Sequence, residues 1–290
     1  MAELAYVNGV FSRIEDAKVS IEDRGFQFGD GVYEVIAAYN GQLFLLDEHM
    51  KRLRDSTAAI HLDYDFERRP IEPIVHEALR RSDIRDAAVY VQITRGAAPR
   101  SHVIPTVIEP TLVLTVRPLA KVPQELRDRG AKVLSVPDDR WAHCHIKAVT
   151  LLANVLAKRE AMTRGFDEAV FVSRDGLVME CTASNIFMAR RGALTFPPRT
   201  ESVLHGITQA FLLDCARSLG QRVEERSFTL DDLYAADEAF MSSTSIEVIG
   251  ITSVDGKRIG DGKVGPITRR MHEEFARRAR GGCTATCSAA

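Results

Sequence analysis

The chain of 290 residues carries 38 basic and 40 acidic side chains, a formal net charge of -2, and is 45% hydrophobic. This supports a packed core in one large domain or two of ordinary size and excludes wholesale disorder. Without a basic excess to neutralise phosphates, nucleic-acid binding is not expected.

No apolar run approaches the ~20 residues of a membrane span. Met1-Ala2-Glu3-Leu4 lacks the basic start and apolar stretch of a secretion signal. The expectation is a cytoplasmic protein with no membrane contact. Residues 4–7 and 10–11 flank Asn8-Gly9, a pair that tolerates positive φ and predicts a hairpin. A second hairpin is expected from the β-branched and aromatic run 32–39, the turn Asn40-Gly41 and the return 42–46. Asp47 then reads as the cap of a helix bearing Met50, Leu53 and Thr57 on one side. A helix follows at 70–81, then strands at 87–95 and 111–116 joined by the long loop 96–110. Loops of that length in a compact domain are usually functional or mobile.

Residues 118–123 read as a linker, so the domains are placed at 1–120 and 121–290. In the second half, strands are expected at 132–136, 168–172, 177–180 and 185–189, with helices at 149–164, 206–219 and 264–280. The pattern lacks regular βαβ alternation, which makes the fold class α+β. The five cysteines, at 144, 181, 215, 283 and 287, are odd in number and unpaired in spacing, so all are taken as reduced. The tail holding Cys283 and Cys287 reads as flexible and offers no further metal ligands.

Arginine far outnumbers lysine, and among only eight lysines Lys147 stands apart. The others lie in turns, beside arginines or next to the charged stretch 124–129; Lys147 follows Trp141-Ala142-His143-Cys144-His145-Ile146 and precedes Ala148-Val149. An amine held among apolar groups loses hydration, which favours Schiff-base chemistry. A lysine whose stem packs while its head reaches water satisfies the same pattern. Glu180 ends a strand and precedes small polar residues, either as a solvated carboxylate or as one oriented toward a bound heterocycle. Gly206-Ile207-Thr208 opens a helix, whose free amides and dipole suit an anion, and Ser243-Thr244-Ser245 and Arg52 could add donors. Arg100 and His102, two apart in an extended loop, share a side and would suit a carboxylate, unless both are simply solvated. His143 and His145 have no third ligand at suitable spacing, so no metal is expected. Gly29-Asp30-Gly31 is not a phosphate loop, and no Gly-x-Ser-x-Gly elbow is present.

Taken together, Asp23-Arg24-Gly25 with Gly29-Asp30-Gly31-Val32-Tyr33-Glu34, His49-Met50-Lys51-Arg52-Leu53, Arg140-Trp141 through Lys147, and Glu180 to Asn185 resemble the fold-type IV pyridoxal-phosphate enzymes. Leu204 to Thr208 and Ser242 to Ser245 continue the order, and the resemblance, nearly chain-long, is to the D-amino-acid aminotransferases. It implies a small α/β domain with an antiparallel sheet, a larger β-barrel-like domain with helices, and pyridoxal 5'-phosphate as cofactor. Lys147 would be the Schiff-base lysine and proton carrier, and Glu180 the partner of the pyridine nitrogen. Arg52, Ile207, Thr208, Ser243 and Thr244 would hold the phosphate, and Leu204 one face of the ring. Tyr33, with Arg100 and His102 from loop 96–110 of a second subunit, would bind the substrate carboxylate, which implies a homodimer. The reaction implied moves the amino group of a D-amino acid such as D-alanine to a 2-oxo acid such as 2-oxoglutarate. Branched-chain L-amino-acid aminotransferases and aminodeoxychorismate lyases resemble the chain in the Lys and Glu stretches, but not in the Arg100-x-His102 pair. Ala183, where the D-amino-acid enzymes often have Ser, and Ala37 depart from the pattern and bear on side-chain preference.

Overall fold

The computed structural model describes residues 3–281, so Cys283 and Cys287 lie outside the described residues. The chain divides into two compact units, Met1–Ala120 with Ile146–Thr150, and Lys121–His145 with Leu151–Ala290.

The first unit contains β1 (Leu4–Val7), β2 (Val10–Arg13), α1 (Arg24–Phe28), β3 (Gly31–Tyr39), β4 (Gln42–Leu43), α2 (Leu46–Ala59), α3 (Glu72–Ser82), β5 (Ala87–Thr94) and β6 (Thr111–Pro118). Its six strands form one sheet in the order β2-β1-β6-β5-β3-β4, with every pair antiparallel. Both expected Asn-Gly hairpins are present. Asn8 and Asn40 have φ of 43° and 54°, and the glycines after them 100° and 83°, the paired positive φ of a two-residue hairpin turn. Along β3, Val32, Ile36 and Ala38 alternate into a core shared with Met50 and Leu53 of α2 and Val75 and Leu79 of α3. Glu34 occupies the same buried row.

α2 differs from the sequence expectation at its start. Leu45, at φ 54°, turns the chain into the helix without a side-chain cap, and Asp47 lies inside the first turn. There its charge favours the helix dipole instead of capping an amide. The short helix α1, capped by Asp23 through the Gly25 amide at 2.8 Å, was not anticipated.

The second unit contains α4 (Gln124–Arg129), β7 (Ala131–Pro137), α5 (Leu152–Thr163), β8 (Glu168–Val172), β9 (Val178–Cys181), β10 (Asn185–Arg190), β11 (Ala193–Phe196), α6 (Ile207–Ser218), β12 (Arg222–Glu225), α7 (Leu230–Tyr234), β13 (Glu238–Ser243), β14 (Glu247–Val254), β15 (Lys257–Arg258) and α8 (Pro266–Arg280). Its sheet runs β12-β11-β10-β13-β14-β7-β8-β9, with β15 on β14. It mixes antiparallel pairs with three parallel ones and curls so that β9 approaches β10. One apolar cluster lines it with Val133, Ile186, Met241 and Ile249; α5 packs Ala157 and Ala161 against Phe171 in another. Glu238 caps α8, accepting from the amides of Ile267 (3.0 Å) and Thr268 (2.9 Å).

α5 begins at Leu152, later than the apolar pattern from 149 suggested, because Ile146–Thr150 is taken into the first unit. Ala148 bridges Val32, the Tyr33 amide donates to the Lys147 carbonyl at 2.9 Å, and the Val149 amide donates to Gly31 at 3.1 Å. Among the described residues no helix is long and apolar enough to cross a membrane.

Candidate active site

In the first unit, backbone hydrogen bonding fixes Lys147 against the start of β3. Its own amide donates to the Ser56 hydroxyl of α2 at 3.3 Å. Its Nζ lies 4.4 Å from the centre of the Tyr33 ring, which stacks on Tyr90 at 5.5 Å. The face of an aromatic ring attracts a cation and leaves its N–H groups uncommitted. The amine thus meets an aromatic face among the apolar groups expected around it.

Arg52 of α2 is oriented by Glu34. Its Nε donates to Oε1 at 2.7 Å and its Nη2 to Oε2 at 2.8 Å, a fork matched to a carboxylate. His49 Nδ1 lies 2.7 Å from the same Oε2. Burial by itself would raise the pKa of Glu34, but the charge and hydrogen bonds of Arg52, with help from His49, lower it to about 2. Burial pushes the pKa of His49 down, with Glu34 acting against it. Glu34 and His49 did not emerge from the sequence as site residues. The signal available was a carboxylate in the apolar row of β3, which requires a cation.

Arg100 and His102 are brought together. Both rest on Phe28, Arg100 with its guanidinium 5.0 Å from the ring centre and His102 edge-to-face at 5.5 Å.

In the second unit, Glu180 lies one residue before the end of β9, which runs on to Cys181, and is 6% exposed. Its Oε1 accepts from Arg140 Nη1; its Oε2 accepts from the Leu204 amide at 3.1 Å and from Asn185 Nδ2 at 3.4 Å. Asn185 Nδ2 also donates to the Leu204 carbonyl at 2.9 Å, so both polar groups of that peptide segment are held. Arg140 is itself forked onto Asp138 at 2.9 and 2.8 Å and lies 4.2 Å over the Phe171 ring. Burial lowers its pKa, yet Asp138 and Glu180 outweigh this and hold it fully charged. Arg140 was visible only as part of a motif, since its partner lies forty residues further on.

Gly206 precedes α6 without a side-chain cap, and the first turn has no acidic residue. The first intrahelical bond found runs from the Ala210 amide to Gly206, so Ile207 and Thr208 present amides before it. A Cβ at Gly206 would collide with Asn185 Oδ1, so only glycine fits. Asn185 stands directly across from Ser242 on β13, which puts both side chains on one face of the sheet. The Ser242 hydroxyl is fully buried with no partner. Ser243 and Thr244 follow it, half-buried. An uncapped helix start beside an unmatched hydroxyl is suited to an anion. Among the described residues, no three His, Cys, Asp or Glu side chains are grouped to hold a metal ion.

The description "Amino-transferase class IV" fits residues 31–254. The D-alanine aminotransferase of Bacillus licheniformis is 40% identical over 264 residues, 91% of this chain and 93% of that protein. Among solved structures, the branched-chain amino acid aminotransferase of Escherichia coli superposes with a TM-score of 0.90 at 27% identity, over 99% of this chain and 97% of that one. The T.th. branched-chain amino acid aminotransferase with pyridoxamine 5'-phosphate gives 0.90 at 27% identity, over 98% and 96%. With an isolated lysine, a clamped glutamate and an open helix start in family order, this chain belongs to the amino-transferase class IV family.

Proposed function

We propose that Lys147 and Glu180 are the catalytic residues of a pyridoxal-phosphate-dependent transaminase that moves the amino group of D-amino acids to a 2-oxo acid. The residues present suit that cofactor. In the second unit, the uncapped start of α6 and the unpartnered Ser242 hydroxyl suit a phosphate; in the first, Arg52 offers an oriented guanidinium. A protonated ring nitrogen matches a buried carboxylate already anchored by Arg140.

When bound, pyridoxal phosphate supplies an electron sink for the bond broken at the substrate Cα. Lys147 Nζ would be the amine that holds the cofactor covalently between turnovers and, when free, would take up and give back the proton of the substrate Cα. The Tyr33 ring steadies Nζ without accepting a hydrogen bond from it. Glu180 holds a proton at the ring nitrogen, and Arg140, Asn185 and the Leu204 amide fix its carboxylate. In the second unit the amides of Ile207 and Thr208 and the hydroxyls of Ser243 and Thr244 would hold the phosphate and Leu204 would support the ring; Arg52 of the first unit would supply the cation.

Tyr33 and, from a second copy, Arg100 and His102 bind the substrate carboxylate. Two uncovered apolar faces support a homodimer: Phe26, Val103, Ile104 and Val107 in the first unit, and Leu152, Val155, Leu156 and Met162 along α5 in the second. The single observation that carries the reading is Lys147 pinned by backbone bonds with its amine over Tyr33. The test is turnover of D- and L-alanine with 2-oxoglutarate by the wild type and Lys147→Ala. Turnover of D-alanine by the wild type alone is expected; undiminished turnover by Lys147→Ala removes the assignment. The E. coli and T.th. superpositions favour branched-chain L-amino acids as a second reading, and preferential use of L-leucine would select it.

A further inference from the structure

We propose that Phe28 is a positioning residue for the substrate carboxylate, holding Arg100 and His102 side by side with their hydrogen-bond donors unspent. The proposal rests on the assignment of Arg100 and His102 to the carboxylate.

The loop that bears them is tied to α1 at two levels. At its stem, the Arg24 amide donates to Gly96 at 2.8 Å, the Ala98 amide donates to Glu22 at 3.1 Å, and Asp23 bridges Ala97. Higher up, Arg24 Nη1 donates to the Ser101 carbonyl at 2.6 Å while its Nε is held by Asp30 Oδ2 at 2.8 Å. The backbone between Arg100 and His102 is thus fixed by a buried cation. Their side chains are exposed, and long exposed side chains lose rotamer freedom when a ligand orders them.

Phe28 removes part of that freedom beforehand. It is the last residue of α1, and Gly29 at φ 69° ends the helix immediately after it. Its ring meets the guanidinium of Arg100 at 5.0 Å and the imidazole of His102 at 5.5 Å with planes inclined by 63°. The Arg24 guanidinium, 4.9 Å from the same ring centre, contributes to holding it. A phenyl ring attracts a guanidinium through its quadrupole and takes none of the five N–H donors. An aspartate or glutamate in the same place would fix Arg100 equally well but would consume the fork needed for the substrate. Among the described residues no carboxylate pairs with Arg100.

The experiment compares Phe28→Leu, Phe28→Tyr and Arg100→Ala in the cofactor-loaded protein. The measurements are kcat and KM for D-alanine, the inhibition constant of propionate, and the cofactor absorbance and affinity. Phe28→Leu is expected to raise KM and the propionate constant about fivefold to tenfold. It should leave kcat within twofold and the cofactor signal unchanged, and Phe28→Tyr should behave as wild type. If Arg100→Ala raises both constants and Phe28→Leu raises neither, Phe28 has no positioning role and the carboxylate assignment stands. If neither variant raises them, the assignment itself falls, and this proposal with it. A Phe28→Leu protein that loses kcat, cofactor and thermal stability together, without recovery in Phe28→Tyr, reduces Phe28 to a structural residue.

Discussion

Glu34 concentrates more consequence than any other single side chain of the first unit. Its pKa falls from 4.5 to about 2, so its stabilising effect is complete above about pH 4.5 and is lost as pH falls toward 2. That shift corresponds to on the order of 3 kcal/mol. His49 adds in the same direction: its folded pKa lies below 6.5, so the unfolded chain takes up the proton first on acidification. Glu34→Gln is therefore expected to lose about 3 kcal/mol in urea unfolding at pH 7 and to show a flatter decline between pH 5 and 3. An unaltered acid slope would remove Glu34 as its source. The same variant should weaken pyridoxal phosphate binding, read by absorbance titration, because Arg52 loses its orientation.

Arg140 invites a second test. Arg140→Met removes the cation shared by Asp138 and Glu180, although Glu180 keeps its hydrogen bonds from the Leu204 amide and Asn185, a change expected to destabilise by roughly 3 kcal/mol and to lower kcat at least tenfold. A variant with normal kcat at all pH values would show that the Glu180 carboxylate needs no help from Arg140 in its proposed role.

At the level of the element, α6 and its approach are tuned by one atom that is missing. Gly206→Ala would drive a Cβ into Asn185 Oδ1 and displace the amide that supports both Glu180 and Leu204. Cofactor affinity should fall at least tenfold, measured by absorbance titration at equilibrium; unchanged affinity would mean that the helix start plays no part in holding the phosphate. Elements of this kind were legible where a local rule decides them. The Asn-Gly turns follow from positive φ, and β3 from its β-branched and aromatic composition. The start of α5 was not legible, because apolar spacing continued smoothly through 149–151 while the open edge of β3 claimed Ile146–Thr150 for extended backbone. The site shows the same division. Lys147 stands apart among the lysines, whereas Glu180 and Arg52 were weak candidates by themselves and gained their roles from the family resemblance. Arg140 and Phe28 act through partners dozens of residues away, and no local pattern marks them.

At the level of the whole molecule, the uncovered stripe on α5 is the testable feature. Leu152 is 70% exposed and Val155 58%, which is unusual for a helix facing only water. Val155→Glu should therefore yield a monomer in sedimentation, and D-alanine turnover should fall with it if Arg100 and His102 serve the second copy. A monomeric wild type with full activity would remove the shared-site proposal. A further whole-molecule feature lies in the second unit, where Glu247 joins Arg127 of α4 at 2.9 Å, Arg280 of α8 at 2.7 Å and His272 at 3.2 Å. Against the effect of burial, the hydrogen bond with His272 and the charges of Arg280 and Arg127 lower its pKa to about 2.

The excursion of Ile146–Thr150 into the first unit also bears on how the protein comes to be made. β3 emerges from the ribosome with one side of its early residues still waiting for a strand encoded more than a hundred residues later. Closing so long a loop is slow compared with local pairing. The nascent chain is therefore expected to complete most of its N-terminal sheet before Lys147 is seated, and a polypeptide stopped at residue 120 would leave the Val32 edge open to adventitious strands.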